Sequence, residues 1–474
     1  KGIMIESDGE TQRILANRIE TVILYDVNYQ QVATVSLTTN EYGSFNGTFV
    51  LPQNLMNGQM HLGNSYGYVY VSVEDYKRPK FEVTAPPIKG VYKLNQTIEV
   101  KGKAQSYAGA NIDGAEVKYR VVRNATFPYY WYWYRGYYPS SPQMEITNGI
   151  TTTNDTGGFV INFKAIPDLS ISKKYSPLYT YTIYSDVTDI AGETHSNQSY
   201  VSVGYNAMKM DVNIGGNVSK DSVPKFNINT TNLNGEFEPA KVKVQIWKQK
   251  EPDRLFRKRL WDQADKHLMT KEEYYLNFPN DMYADEDNEY KWEKGVQVFT
   301  GEFETVKDKD ELAFTTIAQW QTGAYVMEAT TKDKFGEEVK DVKYFTVYVT
   351  PPAPKQFPDE DEYMAQGYQE KKKVPVNTAD WFTTLKMNGE PGQKASFIIG
   401  SKEKDVKVLY EIEHKNEIVK KEWLTLNNEQ KKIEIPIEEK HRGNFAYHLT
   451  FVKNGRAYSH DGTVTVPYTN KELD

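Results

Sequence analysis

The sequence predicts an all-β chain of tandem immunoglobulin- or fibronectin-like antiparallel β-sandwiches, and three observations carry that prediction. Composition leans toward strand formers: 35 of the 474 residues are tyrosine and aromatics reach 13%. Apolar and polar residues alternate with period two in one segment after another, as half-buried strands require. Turn residues separate these segments at short intervals, so consecutive strands are expected to be antiparallel sheet neighbours rather than βαβ units.

The strand segments run in order along the chain as Glu20-Thr-Val-Ile-Leu-Tyr25, Gly67-Tyr-Val-Tyr-Val-Ser-Val73, Thr97-Ile-Glu-Val-Lys101, Val117-Lys-Tyr-Arg-Val-Val122, Lys241-Val-Lys-Val-Gln-Ile-Trp247 and Lys432-Ile-Glu-Ile-Pro-Ile437. The chain also repeats itself. Asn40-Glu-Tyr-Gly43-Ser-Phe45 returns as Asn154-Asp-Thr-Gly157-Gly-Phe159, and Asp189-Ile-Ala-Gly192-Glu193 returns as Asp333-Lys-Phe-Gly336-Glu337. Each glycine permits positive φ at a corner, and the phenylalanine two places later can point into a core. Such self-similarity is that of related sandwiches in tandem. Breaks in the strand pattern near 79–87, 204–205 and 350–354 divide the chain into 1–83, 84–204, 205–350 and 351–474. The third division holds the one helical signal, an insertion at about 251–278. There Phe256, Leu260, Ala264 and Leu268 share a face at four-residue spacing, and Thr270-Lys-Glu-Glu273 offers a capping box for a second short helix.

Charge and residue usage exclude several functions. A net charge of −7 and a pI near 5.7 argue against nucleic acid, which calls for a clustered basic face. The absence of cysteine removes disulfides, thiolate nucleophiles and cysteine zinc sites, and favours a bacterial envelope protein over a eukaryotic secreted one. No apolar run reaches the length of a membrane span, and the chain opens at Lys1-Gly-Ile. Any export signal or anchor is therefore expected outside this sequence.

Four constellations invite a functional reading. Gly63-Asn-Ser65-Tyr-Gly67 matches the G-x-S-x-G nucleophile pattern, but that elbow needs a helix after the serine, and residues 68–73 read as a strand. Of the seven histidines, His441, His448 and His460 fall in the fourth division, which also holds His414, without a carboxylate spacing that suggests a metal. Asp285-Glu-Asp287-Asn-Glu289 begins like a calcium loop, but Tyr290 stands where the sharp turn needs glycine. The densest anomaly is an aromatic loop of the second division, with Phe127, Tyr129, Tyr130, Trp131, Trp133, Tyr134, Arg135 and Tyr137. It is a candidate interaction patch for sugars or a partner segment. The alternative is packing against its own sandwich or a neighbour, which predicts Trp131 and Trp133 largely buried.

Tyr76-Lys-Arg-Pro79-Lys-Phe81-Glu-Val83 resembles the junction between successive macroglobulin-like domains of bacterial α2-macroglobulin family proteins. Asp186-Val-Thr-Asp189-Ile-Ala-Gly192-Glu193 is similar to the closing strands of such a domain. Glu390-Pro-Gly-Gln-Lys-Ala-Ser-Phe397, Val408-Leu-Tyr-Glu-Ile-Glu413 and Pro436-Ile-Glu-Glu look like strands of a later one. Lys1-Gly-Ile looks like the tail of a second strand, so the first macroglobulin-like domain is expected to be truncated. The resemblance covers essentially the whole chain in order.

The resemblance implies a long protein of the cell envelope, periplasmic or lipid-anchored, that entraps proteases after they cleave an exposed bait. This chain would be a non-catalytic scaffold, with no enzyme activity, cofactor or metal. Its partners would be the other domains of the full-length protein and, through them, target proteases, with no nucleic acid and no membrane insertion. The family's thioester lies in a Cys-x-Glu-Gln motif that a chain without cysteine does not carry. The competing expectation is a surface adhesin or carbohydrate-binding array of Ig-like domains, with the aromatic loop as ligand site. The charged, proline-rich stretch 351–375 is the nearest bait candidate, and a cut there is expected merely to separate the fourth sandwich from the third.

Overall fold

The computed structural model describes residues 1–7, 12–52, 55–56, 58–73, 80–127, 141–263, 265–307, 312–352 and 371–469. The chain divides into two compact units, Lys1–Glu82 with Gln105–Asn111, and Val83–Ala104 with Ile112–Asp474. The first unit holds β1 (Gly2–Ile3), β2 (Ile5–Ser7), β3 (Gln12–Ile14), β4 (Ile19–Tyr25), β5 (Gln31–Thr38), β6 (Ser44–Phe45), β7 (Gly58–Gly63) and β8 (Tyr68–Val73). Its main sheet has the order β5-β4-β7-β8, beside the pairs β1-β6 and β2-β3. Leu24 and Met60 are fully buried on one face of that sheet. Residues one place along must face the other way.

Next come β9 (Phe81–Thr84), β10 (Thr97–Ser106), β11 (Glu116–Thr126), β12 (Met144–Thr152), β13 (Gly158–Lys164), β14 (Leu178–Thr188) and β15 (Thr194–Gly204). They form sheets β13-β10-β9 and β12-β11-β14-β15. Period-two burial marks the inner faces, as with Ile98 and Val100 on β10 and Tyr179, Tyr181 and Ile183 on β14. Phe163 meets Tyr181 across the two sheets at 5.4 Å between ring centroids.

A further sandwich has β16 (Met208–Asn213), β17 (Asn217–Ser219), β18 (Lys225–Asn232), β19 (Lys241–Gln249), α1 (Lys271–Asn277), β20 (Lys294–Glu304), β21 (Leu312–Ala313), β22 (Gly323–Lys332) and β23 (Glu338–Tyr348). Met210 and Val212 from the smaller sheet meet Val242, Val244 and Tyr325 from the larger in one core, with Phe226 stacked on Phe314 at 4.1 Å. The last sandwich has β24 (Trp381–Lys386), β25 (Lys394–Ser401), β26 (Val406–His414), β27 (Glu417–Leu426), β28 (Glu429–Pro436), β29 (Gly443–Lys453) and β30 (Arg456–Val466). Its sheets, β24-β25-β28 and β27-β26-β29-β30, close over Phe397, Tyr410, Tyr447 and Leu449. Each such buried side chain contributes about 1.5–3 kcal/mol, so each sandwich has a core of its own.

The fold is all-β and multidomain, with two departures from the sequence expectation. First, β17 pairs with β23 in parallel, Asn217 to Ser219 against Thr346 to Tyr348. The chain leaves β16 through Gly215-Gly216 and changes sheet without reversing, so its continuation lands on the other sheet's edge in the parallel sense. Second, the helix expected over Phe256, Leu260 and Leu268 does not form, and Leu260 and Leu268 are 68% and 97% exposed; Ala264 lies outside the described residues. Arg257 and Arg259 both reach the segment after α1. Residues two apart do not share a face on a helix, so both contacts together are incompatible with the expected helix, and the segment runs as irregular chain. The second helix is present as α1, and Thr270 Oγ1 accepts the Glu273 N–H at 3.2 Å.

The repeated glycine corners are one structure. At Asn40, Asn154, Asp189 and Asp333, a side-chain oxygen accepts the backbone N–H groups two and four residues on. The residue three places on is Gly43, Gly157, Gly192 or Gly336, at φ between 66° and 84°. Two further copies escaped the sequence reading. One is Asn232 with Gly235, and the other is Asp26, where Tyr29 holds the glycine position at φ 61°.

The phenylalanine after the first corner has a fixed role. Gly2 faces Phe45 and Gly102 faces Phe159 across paired strands, and the ring lies where a Cβ would be.

Candidate functional site

The aromatic loop falls largely outside the described residues: Tyr129, Tyr130, Trp131, Trp133, Tyr134, Arg135 and Tyr137 all do. Phe127 is half-buried just after β11. The sandwich beside the loop's ends holds a buried polar network. Arg123 donates to the Ile166 carbonyl at 3.2 Å and lies 3.4 Å from Asp168, to which Ser141 also donates at 2.6 Å. Hydrogen bonds from Ser141 and Ser170 hold the Asp168 carboxyl below its ordinary pKa. Burial pushes the Tyr179 hydroxyl up to about 12 and Tyr181 higher still, and they donate to the Asp168 and Ile166 carbonyls. Arg123 Nε has no partner among the described residues.

The other constellations resolve locally. Ser65 sits in the turn from β7 to β8, and Asn64 Oδ1 accepts the Tyr66 and Gly67 N–H groups, so a hairpin stands where a nucleophile elbow would need a helix. The three histidines occupy separate settings. His441 is buried, accepts the Glu438 N–H at Nδ1, and burial lowers its pKa. His460 meets Asp380 at 2.6 Å and stacks on Phe382.

His448 corrects the sequence reading, because sheet pairing brings it between Asp461 at 2.8 Å and Glu413 at 3.0 Å. Those carboxylates sit on the neighbouring strands β30 and β26, invisible to spacing along one strand. In the acidic loop, Asp285 pairs with Lys291, and Glu286 accepts from Tyr275, Lys271 and the Ala284 N–H. Among the described residues no group of three or more His, Asp or Glu side chains, the His448 cluster included, is arranged to hold a metal ion.

What the structure assembles instead are two junctions inside the second unit. At the first, the Asn232 corner grips the segment before β10: Gly90 N–H donates to Glu236 at 3.0 Å, and Asn232 and Asn234 each donate to the Gly90 carbonyl at 3.2 Å. The Asp333 corner holds the strand-to-strand link, its second oxygen accepting the Ala207 N–H at 2.8 Å. The same carboxylate that shapes the turn therefore anchors the link where it enters its own sandwich.

At the second junction, the connection from β19 to β20 reaches the last sandwich. Glu251 accepts the Ala324 N–H at 2.9 Å with one oxygen and the Asn377 N–H at 3.0 Å with the other. Arg257 forms a two-pronged pair with Asp281 and donates to the Asn454 carbonyl at 2.8 Å, while Arg456 donates back to the Lys258 carbonyl at 2.6 Å. Gln430 donates to the Val349 and Lys371 carbonyls and accepts the Trp381 indole N–H. The pairing with Arg257 holds the Asp281 carboxyl below its ordinary pKa, mainly through the hydrogen bond itself. Charge-assisted pairs of this kind fix geometry as well as adding energy.

The fold defines a class, a tandem array of antiparallel β-sandwiches joined by side-chain clamps. No known family's sequence profile matches the chain. Over 105 residues, 21% of its length, it is 27% identical to the α2-macroglobulin of Thermotoga maritima, covering 7% of that relative. Among solved structures it is similar to trypsin-activated α2-macroglobulin from Escherichia coli, at 11% identity and a TM-score of 0.40, over 96% of this chain and 29% of that one. It is also similar to the Y1175G mutant of the Salmonella protein, at 12% identity and a TM-score of 0.35, over 97% of this chain and 28% of that one. The chain thus spans less than a third of the length of these proteins. The junction and strand motifs and the Thermotoga match support a segment of the bacterial α2-macroglobulin family.

Proposed function

We propose that this chain is a non-catalytic scaffold segment of an envelope-located, α2-macroglobulin-like protease trap, an endopeptidase inhibitor in its full-length form. Its divisions are macroglobulin-like domains at 1–83, 84–204, 205–350 and 351–474. Its partners are the remaining domains of the full protein and, through them, the captured protease. The observation that carries this reading is the pair of clamps, at Gly90 and at Glu251 with Arg257, which lock sandwich to sandwich where a flexible string of modules needs no such contacts. No helix among the described residues is long and apolar enough to cross a membrane.

The test is limited digestion of the purified chain with size-exclusion chromatography and protease assay of the products. A scaffold leaves the added protease fully active. After a cut within 351–375, most of which lies outside the described residues, the two pieces co-elute because the clamps survive. That outcome replaces the sequence-based expectation of separation. Contraction of the chain with retention of the protease after one cut overturns the assignment by placing the bait here.

A further inference from the structure

The first unit carries a built concavity that the scaffold role does not use. On the face of its main sheet opposite buried Leu24 and Met60, cross-strand register aligns Tyr25, His61 and Tyr70 in one row and Ile23, Gly63 and Tyr68 in the next. Tyr25 stacks on His61 at 4.5 Å, and Tyr68 meets Tyr70 edge-on at 5.4 Å. Gly63, lacking a side chain, leaves the floor open between Ile23 and Tyr68. The result is a cup of about 560 Å³, rimmed by Thr21, Asn64 and Ser65.

A second observation concerns Tyr29. Its ring lies 5.1 Å from that of His61, and it is 66% exposed. It holds φ 61° at the corner position where five equivalent corners have glycine. A bulky side chain in that region is strained, and such strain concentrates at binding sites. The fold's own preference at this corner is glycine. The tyrosine instead closes one wall of the cup.

We propose that this cup binds a neutral, pyranose-based glycan. Tyrosine faces suit the C–H faces of a sugar ring, and phenol, hydroxyl, amide and imidazole groups suit its hydroxyls. The lining contains no Lys, Arg, Asp or Glu, so nothing in it selects an ionic ligand. Tyr68 stays 72% exposed and Tyr70 45%, leaving aromatic surface open for stacking. The proposal stands independently of the trap reading.

The test is affinity electrophoresis of the full 474-residue chain in gels containing soluble β-glucan, xylan or mannan, with calorimetric titration of N-acetylglucosamine hexamer. At least one of these glycans binds, and Gly63→Val weakens it about tenfold or more by filling the floor. The first atom of the new side chain fits, because a Cβ at Gly63 comes no nearer than 3.5 Å to any neighbour. Tyr68→Ala, a change at an exposed position, gives the same loss and serves if the first variant misfolds. Tyr29→Gly weakens binding while raising the melting temperature, a combination that a merely structural tyrosine does not produce. The proposal fails if none of the four glycans binds, if Tyr68→Ala binds as tightly as the parent, or if tetramethylammonium displaces the retained species and free oligosaccharide does not.

Discussion

Replacing Arg257 with alanine tests the clamp directly. The side chain makes two hydrogen bonds to Asp281, whose side chain is only 11% exposed, and one to the Asn454 carbonyl of the last sandwich. Removing one partner of a fully buried ion pair costs roughly 3–5 kcal/mol, because the other charge is stranded. Arg257 itself is 25% exposed, and water entering the gap rehydrates Asp281, which brings the expected loss to about 3 kcal/mol. At about 1.4 kcal/mol per decade, local opening becomes about 100-fold more frequent. Hydrogen exchange reads this as faster exchange across 252–292 and the turn at 454–455, while strands β10 to β15 keep their rates. Arg456→Ala, which removes one hydrogen bond to Lys258 and a contact over Trp261, has the smaller effect of about 1–2 kcal/mol. If Arg257→Ala leaves exchange at 252–292 unchanged, the arginine does not hold the junction.

Three further outcomes rest on single sites. Gly102→Ala puts a Cβ 2.1 Å from the Phe159 ring and lowers stability by about 1–3 kcal/mol through overpacking; Gly67→Ala, with nothing within 4 Å, leaves the melting curve in place, and equal effects would remove the steric argument. Glu286 is pushed up by burial, but hydrogen bonds from Lys271, Tyr275 and the Ala284 N–H outweigh this and hold it at about 2. Its stabilisation is therefore complete above its ordinary 4.5 and is lost as pH falls from there toward about 2, at most about 3 kcal/mol by linkage; exchange at 271–292 that does not rise over that window contradicts the assignment. His448 is raised above 6.5, first by the hydrogen bond to Asp461 and also by Glu413. That contribution is present below 6.5 and lost as pH rises through the raised pKa, so Asp461→Asn flattens the alkaline decline in melting temperature, and an unchanged pH profile in that variant counts against the pair.

The features legible beforehand were those with a local cause. Period-two alternation located the main strands because a half-buried sheet exposes every second residue. The Gly43, Gly157, Gly192 and Gly336 corners could be read because Asx and glycine at fixed spacing shape the turn within five residues. The same spacing was present in Asn232-Leu-Asn-Gly235 and was passed over; the Asp26 corner had no glycine to signal it. The Phe256 to Leu268 periodicity misled, because apolar spacing predicts a helix only when one face has a surface to cover. Here two arginines, two residues apart, both reach partners after α1, which a helix at those positions would not allow.

The all-β class, the repeated corners, the capped helix at 271–277 and the family resemblance were settled by the order of the amino acids, since each depends on residues close together or on motifs intact along the chain. The meetings across strands and sandwiches were left to tertiary packing: His448 between Asp461 and Glu413, Arg257 on the Asn454 carbonyl, and Tyr25, His61 and Tyr68 around the gap above Gly63. Sheet register and interdomain docking set those neighbours. Both come from packing of cores far apart in the chain, where a one-residue shift of register turns every side chain to the other face.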